Sequence, residues 1–178
     1  MAVADLLIAG ARVCAPEGVW DPGWVWCRGG RIEALGPGDP PAGTGPAAEA
    51  VDGAGARLLP GFIDVHVHGG DGADTMDADA DALRHLARFH AAHGVTSMLP
   101  TTWSAPEADL AAAVKAIAVV AGVVDGGATI LGAHLEGPWI SSGRCGAQDP
   151  AAIRPPDAAE AGRLLDGGTV RLVTLAPE

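Results

Sequence analysis

The spacing of apolar positions changes character near residue 60. Before it, short apolar runs are broken by Gly and Pro. Leu6 to Val13, Trp20 to Cys27 and Arg31 to Leu35 read as β-strands, with turns such as Asp21-Pro22-Gly23 and Gly29-Gly30. Gly36 to Ala50 reads as a Pro/Gly/Ala loop. After residue 60, strand and helix periods alternate. Phe62 to His68 is a strand with β-branched residues. Asp79 to His93 carries Leu83, Leu86 and Phe89 at helical spacing and stops at Gly94. Val95 to Pro100 is a second strand. Ser104 and Glu107, three apart, form a capping-box start for a helix reaching about Gly122. Thr129 to Leu135 is a third strand, Asp157 to Leu165 a helix capped by Asp157, and Thr169 to Leu175 a fourth strand.

Strands alternating with helices imply parallel β/α units with helices covering the sheet. The fold class is therefore α/β. Residues 1–58 form one part, rich in short strands, and residues 59–178 the other. A closed (β/α)8 barrel takes about 200–250 residues, so the second part is either a small open sheet or the first half of a barrel. No helix follows the fourth strand before Glu178, which favours a truncated chain.

Composition narrows the partners. The chain has 22 acidic and 11 basic residues among 178, a net charge of −11. An acidic surface argues against nucleic-acid backbones and anionic membranes. Cys14, Cys27 and Cys145 are widely spaced and odd in number, which fits a reducing cytoplasm. No basic n-region precedes an apolar run at the start, and the most apolar stretch, Ala111 to Val124, is too short to span a bilayer. A cytoplasmic protein is expected.

Candidate chemistry gathers at strand ends. His66 and His68 lie two apart in a strand and so share one face. They sit at its carboxyl end, where sites collect in parallel α/β folds. Glu136 ends the third strand, and a carboxylate there is costly to bury unless paired or metal-bound. Two imidazoles and one carboxylate form a partial ligand set for zinc or iron. Asp64, on the same face as the histidines, is placed to hydrogen-bond a ligand imidazole from outside the ligand set, or is an ordinary buried Asp. His134 shares a face with Glu136 and reads as a supporting or core histidine. His85, His90 and His93 fall on a helix and read as surface or capping residues. Thr101-Thr102 follows the second strand and is placed to line the mouth of a site. The loop from Ser141 to Asp149 either contacts a substrate or merely connects. No nucleophile elbow, Walker sequence or dinucleotide fingerprint is present.

Four blocks carry a resemblance: Pro-Gly-Phe-Ile-Asp-Val-His-Val-His-Gly (60–69), His-Gly-Val-Thr-Ser-Met-Leu-Pro-Thr (93–101), His-Leu-Glu-Gly-Pro-Trp-Ile (134–140) and Val-Thr-Leu-Ala-Pro-Glu (173–178). In this order they resemble the N-acetylglucosamine-6-phosphate deacetylases of the amidohydrolase superfamily. The resemblance implies a metal-dependent (β/α)8 barrel beside a small β-sandwich built from both ends of a longer chain. Residues 1–58 would be the N-terminal share of that sandwich, and residues 59–178 strands one to four of the barrel. It implies Glu136 as the main metal ligand and His66 and His68 as a pair that binds a second ion in some members. It places Ala147 and Gln148 in a sugar-contacting loop. Members often carry Gly-Ala/Thr-His there, whereas this chain has Gly146-Ala147-Gln148.

The implied reaction is metal-assisted hydrolysis of N-acetylglucosamine 6-phosphate to acetate and glucosamine 6-phosphate, in a homodimer at full length. The family's two further histidine ligands, its phosphate-binding residues and its catalytic aspartate come from later segments. The 178-residue chain by itself is therefore expected to be inactive. Two alternatives remain at this point. One is another amidohydrolase, against which Lys115 counts, being mid-helix and poorly placed as a modified-lysine ligand. The other is a non-catalytic metal-binding or assembly module that uses the open half barrel as a surface.

Overall fold

A computed structural model of the chain describes residues 5–44 and 49–178. They divide into two compact units, Met1–Pro60 and Gly61–Glu178.

The first unit is a five-stranded sheet of β1 (Leu6–Ala15), β2 (Gly18–Arg28), β3 (Arg31–Pro37), β4 (Glu49–Asp52) and β5 (Arg57–Leu58). The order is β3-β2-β1-β4, with β5 also pairing β1. Strands β1, β2 and β3 are antiparallel neighbours, while β4 and β5 run parallel to β1. The hairpin at Gly29-Gly30 forms as expected, both residues having the positive φ that glycine supplies at no steric cost. The turn expected at Asp21-Pro22-Gly23 does not form. These residues lie inside β2, opposite a slip in register between Ala11 and Val13. Proline has no N–H to donate, and such an irregularity is where a sheet tolerates it. The expected loop over 36–50 also gives way at both ends, to β3 and β4; residues 45–48 of it lie outside the described residues. Ala11, Val13 and Val25 form the core of this unit.

The second unit alternates strand and helix. Strand β6 (Phe62–Val67) is followed by a small hairpin, β7 (Gly69–Gly70) and β8 (Ala73–Asp74), then α1 (Ala80–Ala91), β9 (Val95–Pro100) and α2 (Glu107–Val120). Strands β10 (Thr129–Ile130) and β11 (Ala133–Glu136), α3 (Ala158–Leu165) and β12 (Val170–Thr174) complete it. Strands β6, β9 and β10 pair in parallel, as do β11 and β12. A parallel bridge between Thr101 and His134 joins the two sets. Strands β10 and β11 together are the third strand expected from sequence, broken at Gly132. The backbone there has φ 143°, and a Cβ would overlap the Thr169 carbonyl. The strand order thus follows the chain order, as in consecutive β/α units of a barrel.

The helices bury one face each. Leu83, Leu86 and Ala87 of α1 meet Val114, Ile117 and Val120 of α2 over Val67, Val95, Met98 and Ile130 of the sheet. A second cluster joins Leu110, Leu135, Trp139 and Leu164. Asp79 caps α1, and Asp157 caps α3 through the Glu160 N–H. The expected capping box at Ser104 is absent. Pro106 holds the N-cap position, so Glu107 is the first helical residue, and its carboxylate reaches Arg163 instead. Among the described residues, no helix is long and apolar enough to cross a membrane. All three cysteines are free thiols.

Candidate metal centre

The carboxyl end of β6 turns both histidines to one side. His66 Nε2 lies 3.2 Å from His68 Nε2. Glu136, at the end of β11, brings Oε2 to 3.3 Å from His66 Nε2 and 3.1 Å from His68 Nε2. Ligand atoms about 2.0–2.1 Å from zinc in a tetrahedral shell are about 3.4 Å apart, so this triangle matches the span of three donors on one ion.

The hydrogen bonds orient the ligand rings. His68 Nδ1 stands 3.1 Å from the Thr101 carbonyl, which can only accept. Nδ1 therefore carries the hydrogen, which leaves Nε2 as the ring atom facing Glu136 Oε2. The Trp103 ring lies flat on His68, with centroids 3.6 Å apart and planes 14° from parallel. These residues line a groove of about 410 Å³ with Ala147 and Gln148.

The residues behind the triangle are buried. His134 is 1% exposed. Its Nδ1 donates to the Val65 carbonyl at 2.9 Å, and its Nε2 accepts from the Thr174 hydroxyl at 2.8 Å. Burial, then the neighbouring His66 ring, lowers its pKa and so favours the neutral ring, in which Nε2 accepts. Its ring meets that of His66 edge-on at 4.8 Å. Asp64 does not bond an imidazole; its carboxylate accepts the His66 backbone N–H at 3.1 Å. Thr101 and Thr102 do not line a mouth, since both are fully buried. The Thr101 hydroxyl accepts the Val67 N–H and donates to the Leu99 carbonyl, tying β6 to β9.

Gln148 is buried, with Oε1 accepting the Ser104 N–H and Nε2 donating to Glu136 Oε2 at 2.7 Å. Ala147 beside it is exposed. His85 pairs with Asp71 on the surface, and His93 donates to the Phe89 carbonyl at the end of α1. His90, expected on the surface, is half-buried with an unpartnered Nε2, because α1 turns that edge toward Gly70 and Phe89. Sequence reasoning missed Trp103 and Thr174. Thr174 ends a strand as Glu136 does, and that position was the available signal.

Residues 57–178 match the amidohydrolase family. The chain belongs to that family. It is 35% identical over 179 aligned residues to N-acetylglucosamine-6-phosphate deacetylase of Bacillus subtilis, covering 98% of this chain and 45% of that one. It is 44% identical over 123 residues to N-acetylgalactosamine-6-phosphate deacetylase of Escherichia coli O157:H7, covering 68% of this chain and 33% of that one. The structure superposes on N-acetyl-D-glucosamine-6-phosphate deacetylase of Mycobacterium smegmatis with a TM-score of 0.83 at 39% identity, over 99% of this chain and 44% of that one. This amidohydrolase chain therefore spans less than half the length of these relatives. Its fold is α/β: the first half of a (β/α)8 barrel preceded by the N-terminal part of a small β-sandwich.

Proposed function

We propose that His66, His68 and Glu136 hold a divalent cation, zinc or iron, in an enzyme that removes acetate from N-acetylglucosamine 6-phosphate. The observation that carries this reading is the convergence of two imidazole Nε2 atoms and one carboxylate oxygen within 3.3 Å of one another. A cation bound there would polarise the acetamide carbonyl and lower the pKa of a water molecule toward neutrality. The chain's own residues keep the three donors aimed. The Thr101 carbonyl fixes the His68 tautomer, the Trp103 ring holds its plane, and His134 and Asp64 support His66 through its ring and its backbone. Ala147 and Gln148 would form the wall against the sugar. Residues 1–58 are assigned to the sandwich and 59–178 to the first four barrel strands, in a cytoplasmic protein that is a homodimer at full length.

The test is zinc binding by equilibrium dialysis, paired with acetate release from N-acetylglucosamine 6-phosphate and N-acetylgalactosamine 6-phosphate. The 178-residue chain should bind one or two zinc ions, bind them far more weakly but still measurably in H68A and E136Q, and release no acetate. Zinc binding unchanged in both variants would defeat the ligand assignment. Robust deacetylation by this chain would defeat the expectation that the base and further ligands lie in other segments.

A further inference from the structure

We propose that Gln148 is a positioning residue for Glu136, setting which lone pair of Oε2 is left for the cation. The inference rests on the metal reading above and goes beyond it.

The amide orientation is dictated by its partners. Oε1 faces the Ser104 N–H, which can only donate, and Nε2 faces Glu136 Oε2, which can only accept. Turning the amide over would set N–H against N–H and oxygen against oxygen, so one arrangement survives. Gln148 is 6% exposed, which excludes water as a substitute partner of comparable freedom. The oxygen it binds is the same one that faces both imidazoles. One lone pair of Oε2 is thus taken by the Gln148 N–H at 2.7 Å, and the remaining one is directed toward His66 and His68. The anchor on Ser104 lies just before α2, so the carboxylate is braced against the main chain rather than against another mobile side chain. With its carbonyl and one N–H committed to the protein, Gln148 has a single N–H left for any sugar contact.

The experiment is a double-mutant cycle on the full 178-residue chain, reading zinc affinity by competition with a chromophoric chelator. Q148L should weaken zinc binding about 10- to 100-fold, the usual effect of removing a partner that orients a ligand. In an E136A background the same substitution should have no further effect, because the group it orients is gone. An equal loss in both backgrounds would mean that Gln148 acts only by holding the loop, and would overturn the proposal. So would unchanged affinity in Q148L. If Q148L fails to fold, Q148N serves. It keeps an amide but is one methylene too short to span Ser104 and Glu136 together, and the same loss and the same cycle are expected. Failure of the unmodified chain to bind zinc, or unchanged binding in H68A, would instead overturn the metal reading, and this assignment with it.

Discussion

Replacing Arg154 by Met should destabilise the second unit by about 3 kcal/mol, and the structure says why. The Glu160 side chain is 7% exposed and that of Arg154 29%. The guanidinium Nε lies 3.1 and 3.2 Å from the two carboxylate oxygens, Nη2 bonds Oε1 as well, and Trp139 Nε1 donates to Oε2 at 3.3 Å. Nη1 also bonds the carbonyls of Ala105 and Ala152. R154M leaves the carboxylate buried with the indole N–H as its remaining side-chain donor. Breaking a buried pair from one side costs about 3–5 kcal/mol, and partial exposure of the arginine puts this case at the low end. Removing both charges, in R154M/E160M, leaves no stranded anion and should recover about 2 kcal/mol of that loss.

Urea unfolding at neutral pH, followed by tryptophan fluorescence, measures the series. A pH arm checks the cause. The Arg154 hydrogen bond holds the Glu160 pKa below the usual carboxylate range. The pair's contribution is thus complete above that range and is lost as pH falls through the lowered folded value, from about pH 5 downward. R154M should flatten that acid limb. Equal losses in the single and double variants, or an unchanged acid limb, would refute the argument.

Three further outcomes follow from the geometry. H134L strands the Val65 carbonyl and the Thr174 hydroxyl and should cost about 2–4 kcal/mol, against about 1 for T174V, both read by urea midpoints. G132A places a Cβ against the Thr169 carbonyl at a backbone angle only glycine adopts freely, and should lower the thermal midpoint by more than any surface Gly→Ala change. Zinc at about a hundredfold excess over its dissociation constant should raise stability by about 2.7 kcal/mol; a chelator should reverse the gain, and E136Q should remove most of it.

Much of the second unit was legible because its signals are local. β-branched runs, the 3.6-residue spacing of Leu83 and Leu86, and the caps at Asp79 and Asp157 each need only neighbouring residues. The His-x-His spacing likewise fixes a shared face in any strand. What was not legible depended on distant partners. Ser104 and Glu107 have the letters of a capping box, but Pro106 and Arg163 decide the outcome. Thr101 reads as a polar loop residue until β9 and β11 enclose it. Asp64 has the spacing to reach an imidazole, yet the adjacent backbone N–H is nearer. Gln148 meets Glu136, twelve positions earlier, only because the loop between them folds back on itself.

At the upper edge of the sheet, side chains join the strands alongside the main chain. The β6–β9 register slips between Asp64 and Val67, while β11 and β12 stay paired in register up to Glu136 and Thr174. There Thr101 and His134, with Thr174, add side-chain bonds to the main-chain ones that Thr101 N–H makes to Val67 and Thr102 N–H to His134. Repacking beneath, at Met98 or Ile130, changes how firmly the unit stands, while the aim of the donors answers to a few hydroxyl and imidazole seams above.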